Sequence, residues 1–181
     1  MWDLSVDGAP CLIALKAELV ITSSKQQRRI PIEDFFIDYG KQDLKEDEVL
    51  EKIILPKKAD DSLAKFYKLS KRFDQDISAV CAAFVLTFDS NNKIATARLA
   101  YGGMAATPKR AEQAEKMLVG QSWDKDNVQT AMQALDKDFT PLTDMRASAE
   151  YRQTTAKNLL YRFFIETTQP KVQTRVYNYA E

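Results

Sequence analysis

The chain has 181 residues, with 26 basic and 26 acidic side chains and a formal net charge of zero. That balance argues against a nucleic-acid partner, which calls for a basic excess, and no apolar run approaches the length of a membrane span. With 45% hydrophobic and 29% charged residues the composition is that of an ordinary globular protein, long enough for one domain or one domain plus part of another.

Residues 1–10 hold two aspartates and no basic stretch, unlike a secretion leader, so a cytoplasmic location is expected. Residues 9–17 read as a short apolar helix with Pro10 in its first turn. Residues 18–23 and 28–32 read as strands on either side of the polar turn Ser24-Lys25-Gln26-Gln27, hence a hairpin. Residues 33–39 bring Phe35, Phe36 and Tyr39 together, an aromatic group expected in the core. Residues 48–55 alternate and stop before Pro56, as a strand does. The polar stretch 57–62 is the expected boundary between two units, 1–57 and 58–181.

In the second unit, residues 63–70 alternate as a strand and 71–75 form a charged loop. Residues 77–88 are a long apolar run read as a strand, although its alanines leave a helical start open. Asp89-Ser90-Asn91-Asn92 is a turn, and 93–101 alternate again. This meander ends at Gly102-Gly103, one of which is expected at positive φ. Three helices follow. Residues 108–119 put Ala111, Ala114, Met117 and Leu118 on one face, with Gly120 as the stop. Residues 124–135 are capped by Asp124 and turn Val128, Met132 and Leu135 inward. Residues 148–168 carry Tyr151, Leu159, Phe163 and Ile165 among their apolar positions, with Pro170 just beyond. The tail 171–181 is weakly patterned, with fraying expected. The expected fold class is α+β: a three-stranded antiparallel sheet packed against a helical bundle.

Histidine is absent. With it go the commonest general base, the Ser–His and Cys–His nucleophile pairs and the commonest metal ligand. Any demanding chemistry must therefore come from a cofactor or another subunit. Cys11 and Cys81 each lie among apolar residues and read as buried free thiols rather than a disulfide. Without a CxxC pair no zinc or iron–sulfur site is suggested. Read alone, Asp7 is an N-cap for the Pro10 helix, Leu50 plain core, Lys68 a solvated strand lysine, and Arg72 and Asp76 a loop pair.

A series of motifs follows one another along the chain: Asp7-Gly8-Ala9-Pro10-Cys11-Leu12-Ile13-Ala14-Leu15; Arg28-Arg29-Ile30-Pro31 with Phe35-Phe36 and Tyr39-Gly40-Lys41; Glu48-Val49-Leu50 to Ile54-Leu55-Pro56; Lys68-Leu69-Ser70-Lys71-Arg72 to Asp76-Ile77; Tyr101-Gly102-Gly103-Met104-Ala105 with Pro108 and Arg110-Ala111; Gly120; and Pro141-Leu142-Thr143-Asp144-Met145-Arg146-Ala147-Ser148 with Tyr151-Arg152. Over residues 7–166 this order resembles the C-terminal part of the FAD-binding subunit of xanthine dehydrogenases. It resembles more widely the flavoprotein subunits of molybdenum hydroxylases, that of carbon monoxide dehydrogenase included. The resemblance implies that 1–57 is a remnant of the second, PCMH-type FAD-binding subdomain. It implies that 58–181 is a carbon monoxide dehydrogenase flavoprotein C-terminal-like domain. Asp7, Leu50 and Lys68 would contact the flavin, where the lysine cation would meet negative charge on the reduced ring. Arg72 and Asp76 would lie in the loop beside the ring, pairing with each other or helping to admit NAD. No catalytic residue or metal ligand carries over.

In this family a molybdenum centre hydroxylates the substrate, iron–sulfur clusters carry electrons, and FAD passes them to NAD. The implied partners are a molybdopterin-binding large subunit, an iron–sulfur domain and NAD, with a homodimer as a further expectation. Asp144-Met145-Arg146-Ala147-Ser148 with Tyr151-Arg152 favours the purine-oxidising branch. One feature departs from the family: its glycine-rich loop, whose backbone N–H groups hold the FAD phosphates, has no counterpart in Met1-Trp2-Asp3-Leu4-Ser5-Val6. A shortened subunit is therefore expected, with weak or no FAD binding on its own. Its first segment should be loosely held or pair with another copy through an exposed sheet edge. The alternative is a cofactor-free interaction or dimerisation module that docks to a large molybdenum subunit. An independent hydrolase or transferase is disfavoured, since no paired carboxylates or nucleophile motif are present.

Overall fold

The structure, a computed structural model, describes residues 7–57, 61–72 and 76–174. Helix α1 (Ala9–Ala14) leads into strand β1 (Glu18–Thr22), which pairs antiparallel with β2 (Gln27–Pro31) on one side and β5 (Val49–Ile54) on the other. Between β2 and β5 lie a single 3-10 turn (Ile32–Asp34) and the small hairpin of β3 (Phe36–Asp38) and β4 (Lys41–Gln42). Phe35 is buried and meets Phe36 edge to face at 5.4 Å. Tyr39 corrects the expected aromatic core: it stands 87% exposed beside Gly40 at the hairpin tip, where there is nothing to pack on.

The second sheet has the order β6-β7-β8-β9, from β6 (Leu63–Leu69), β7 (Val80–Phe88), β8 (Ile94–Gly102) and β9 (Lys109–Arg110). It is thus four-stranded, not three. The residues after Pro108 first add two positions to the edge of β8, and only then turn into helix α2 (Glu112–Leu118). Helices α3 (Lys125–Asp138) and α4 (Ala149–Thr168) complete a three-helix layer. Asp124 caps α3 by accepting from the N–H of Asn127, and Ser148 caps α4 by accepting from that of Tyr151. Met117 and Tyr151 point to solvent rather than inward.

The run of β7 lacks alternation because both faces of this sheet are covered. Ala82, Phe84 and Leu86 join Leu99, Tyr101, Leu118, Leu135, Leu160 and Phe163 in the large core under the helices. Ala83, Val85 and Ala100 face the other way, against Ile13, Ala14, Ala17, Leu19 and Ile21 of the first unit. The small side chains at 83 and 100 let α1 approach closely. Arg98 fastens this junction: its guanidinium donates to the Ile13 carbonyl at the end of α1 and pairs with Glu33. The first unit is therefore not loosely held on this side, because the outer face of β7 and β8 is apolar and α1 is what buries it.

Candidate functional site

The 71 positions between Asp7 and Ser78 are closed by two short hydrogen bonds on one carboxylate. Strand alternation explains how. In β6, Tyr67 turns toward the helices, where its hydroxyl donates to Glu166, so Lys68 must face the α1 side. There Lys68 Nζ donates to Asp7 Oδ2 at 2.6 Å, and the buried Ser78 hydroxyl donates to Asp7 Oδ1 at 2.5 Å. The backbone carbonyl of Asp7 accepts from the Cys81 thiol at 3.4 Å and, more weakly, from the Cys11 thiol at 3.9 Å. Both cysteines are free; Cys81 is buried, whereas Cys11 is only half-buried because its side chain lies at the rim of α1.

Asp7 does not cap α1. The N-cap residue is Gly8, which has no side-chain capping bond, and the Asp7 carboxylate reaches across to the second sheet instead. Burial pushes the Asp7 carboxyl up, but the bonds from Lys68 and Ser78 outweigh it and hold the group below the ordinary carboxylate value. The same contact with Asp7 raises the Lys68 ammonium. Burial pushes the Cys81 thiol up to about 12, so it stands as a thiol and not a thiolate at neutral pH.

The structure thus joins two of the sequence-predicted residues and keeps the others apart. Leu50 sits opposite Ile21 in the β1–β5 pairing, half-buried against the small core, and belongs to the first sheet. Arg72 and Asp76 pair with each other: the Asp76 carboxylate accepts from the Arg72 backbone N–H at 2.9 Å and lies 3.4 Å from its guanidinium. They line a groove of about 450 Å³ with Lys71, Ile77, Met145 and Arg146. Lys71 spans its mouth, donating to the Met145 carbonyl at 2.8 Å. A larger groove of about 660 Å³ runs past Lys16, Arg98 and Arg110, but its arginines are already paired with Glu33 and Glu115.

Reading the sequence alone missed three residues at this site. Ser78 falls within the apolar run 77–88 that reads as a strand, though it lies two residues before β7 begins. Phe66 stands on the same strand face as Lys68 and is half exposed, an aromatic ring left open beside the pair. Arg152 stands in the sequence as a helix residue and as part of the Tyr151-Arg152 motif, neither of which points to this site, yet it is 4% exposed and donates to the carbonyls of Ala79 and Gly103 and to Asp144. The alternation of β6 was the signal available for Phe66; nothing local marked the other two.

Chemically, Asp7 and Lys68 present a carboxylate and an ammonium side by side, each more than two-fifths exposed. Such a pair can accept from and donate to the polar edge of a planar heterocycle. At the Gly102-Gly103 corner the space beside Gly103 is filled by the protein itself, since a Cβ built there would lie 2.4 Å from the Ala79 carbonyl oxygen. Among the described residues, no group of acidic or sulfur side chains is arranged to hold a metal ion, and no helix is long and apolar enough to cross a membrane.

A two-faced antiparallel sheet with helices on one side and a second small sheet on the other is the fold this chain shares with the FAD-binding regions of molybdenum hydroxylases. The chain belongs to the CO dehydrogenase flavoprotein C-terminal domain family, which matches residues 65–167; the FAD binding domain in molybdopterin dehydrogenase matches residues 3–58. It is similar to the xanthine dehydrogenase of Dictyostelium discoideum, at 30% identity over 92% of this chain and 14% of that protein. It is similar also to xanthine dehydrogenase 1 of Arabidopsis thaliana, at 29% identity over 88% of this chain and 12% of that protein. Among solved structures it resembles the carbon monoxide dehydrogenase of Hydrogenophaga pseudoflava, with a TM-score of 0.80 and 29% identity, covering 86% of this chain and 54% of that one. It likewise resembles quinoline 2-oxidoreductase of Pseudomonas putida 86, with a TM-score of 0.77 and 27% identity over 92% of this chain and 58% of that one. The chain thus spans a small part of its curated relatives and little more than half of the solved chains.

Proposed function

We propose that this chain forms the ring-contacting part of a flavin site in a xanthine dehydrogenase-like molybdenum hydroxylase. The observation that carries this reading is the Asp7–Lys68–Ser78 clasp, which closes over 61 and 71 positions of sequence. When bound, FAD supplies the electron chemistry that links iron–sulfur clusters to NAD. Asp7 accepts from the polar edge of the ring, and Lys68 keeps an ammonium against the side where negative charge gathers. Phe66 offers an aromatic face beside them, and Leu50 an apolar one from the first unit. Arg72 and Asp76 border the groove through which NAD would approach. The residues named here meet the ring and not the phosphates of FAD, and the molybdopterin and iron–sulfur centres would lie on partner subunits or domains. The boundary between the two units falls in the polar stretch at 57–62. Binding by the isolated chain is therefore weak and directed at the ring.

Fluorescence titration of the purified chain with riboflavin, FMN and FAD tests this. The three should bind with similar, weak affinity, because the chain touches what they share. Lys68→Met and Asp7→Asn should each weaken all three by about tenfold or more, the effect of losing one charge-assisted hydrogen bond. Stoichiometric, tightly held FAD, or a strong preference for FAD over riboflavin, would show that a phosphate cradle lies within the chain.

A second reading, a cofactor-free module that docks to a large subunit or to its own copy, draws on one observation. Among the described residues strand β5 is a sheet edge, with Val49 and Ile53 on it and Leu55 just after it exposed. The absence of any flavin quenching, together with self-association in sedimentation, would favour it.

A further inference from the structure

Arg152 lies in the first turn of α4, and its side chain is among the most deeply buried charges in the protein, at 4% exposure. Its Nη1 donates to the Ala79 carbonyl at 2.5 Å and to the Gly103 carbonyl at 2.8 Å. Its Nη2 donates to Asp144 Oδ1 at 2.6 Å, while Nε is buried without a partner. The same Asp144 oxygen accepts from the backbone N–H of Arg146 and Ala147, so the turn ahead of α4 is gathered at one point. A guanidinium with an unmatched N–H is a poor way to stabilise a core. A well-packed apolar residue of similar volume is often as good or better. What the arginine provides is direction: a rigid fork that fixes two loop carbonyls relative to a 20-residue helix.

Those carbonyls lead straight to the clasp. Ala79 is the neighbour of Ser78, whose hydroxyl holds Asp7 Oδ1. The N–H of Ala79 donates to the carbonyl of Leu69, the neighbour of Lys68, which holds Asp7 Oδ2. Ser78 is thus the neighbour of Ala79, and Lys68 the neighbour of the residue whose carbonyl accepts from the Ala79 N–H, while Arg152 holds the carbonyl of that same Ala79 from α4. We propose that Arg152 is a positioning residue for the Asp7–Lys68–Ser78 clasp, acting through Ala79 and not by touching a ligand. This rests on the flavin reading for its purpose, but not for its test.

The test follows the Asp7 carboxyl by carbon-13 NMR in the full chain without flavin. The groups that face Asp7 are Lys68, Ser78 and the thiols of Cys11 and Cys81. Ser78→Ala calibrates the loss of one bond, and its Asp7 midpoint should move up toward the ordinary carboxylate range. Arg152→Lys, which keeps the charge but loses the fork, should move it in the same direction with the far-UV circular dichroism unchanged. Phe163→Leu, a core change in the same helix, should lower the melting temperature and leave Asp7 where it was. If Arg152→Lys melts earlier yet titrates at Asp7 like the parent, Arg152 is only structural and the proposal fails. Should Arg152→Lys not fold, Asp144→Asn loosens the same fork from its other end, and an unmoved Asp7 there overturns the idea equally. Riboflavin titration of the parent chain is separate: no binding there sinks the flavin reading while leaving the Asp7 result standing.

Discussion

Gly103 takes a φ of +78°, and a Cβ there would meet the Ala79 carbonyl oxygen at 2.4 Å and an Arg152 nitrogen at 3.0 Å. Gly120 takes almost the same φ, +79°, with open space where its Cβ would be. The two positions separate backbone strain from steric overlap. Gly120→Ala should cost about 1 kcal/mol, the penalty of a left-handed residue alone. Gly103→Ala must also push back a loop that Arg152 holds, and should cost about 3 kcal/mol or more. Urea unfolding of the two variants checks this, and equal midpoints would mean that the Ala79 loop yields freely. Arg152 also explains why the corner needs glycine: the strand end, the approach to β7 and the turn before α4 all converge on one guanidinium.

Helix α2 is seven residues long, and the residue before it, Ala111, offers no side-chain cap. Its exposed N–H groups are satisfied from elsewhere: Asp138, the last residue of α3, accepts from Gln113 at 2.9 Å and Ala114 at 3.0 Å. One helix thus caps another, which is favourable for a carboxylate at a helix N-terminus. Helix α3 is capped locally by Asp124. Asp138→Ala and Asp124→Ala should each cost about 1 kcal/mol, but in different places. By hydrogen exchange, the first should loosen α2 and the second the opening turn of α3. Faster exchange in α3 alone from both variants would rule out the cross-helix cap. The same dependence on distant partners appears in β9, two residues that form a strand only because β8 offers an edge beside Pro108.

Two carboxylates tie distant segments together strongly enough to shape the acid stability of the whole molecule. Glu48 accepts from Arg28, and Glu166 accepts from Tyr67, Arg162 and Thr174; each is held at about 2. For Glu48 the Arg28 bond dominates; for Glu166 burial pushes up and the three bonds outweigh it. A carboxyl depressed in the folded state contributes stability that is complete above its ordinary value and is lost as pH falls toward the folded one. Glu115 works the other way, since burial raises it despite Arg110. Stability should therefore decline as pH drops from about 5 toward about 2, and Glu166→Gln should flatten that decline. Urea midpoints across this range measure it; an acid limb as steep in the variant as in the parent would exclude Glu166 as a source.

The α+β class, both hairpins, the cap at Asp124, the stop at Gly120 and the positive φ near Gly103 were legible in the sequence. Each rests on neighbours within a few residues, where propensity and hydrogen bonding act without help from the rest of the fold. The same local reasoning made Asp7 a helix cap, Tyr39 a core residue and the second sheet three-stranded, and it assigned Ser78 and Arg152 no role. In each case the deciding partner lies far off or is missing: Lys68 and Ser78 for Asp7, Ala79 for Arg152, the edge of β8 for β9, and an empty hairpin flank for Tyr39. A short carboxylate can bond its own helix or another strand at similar cost, and only the closure of the two sheets around α1 decides between them.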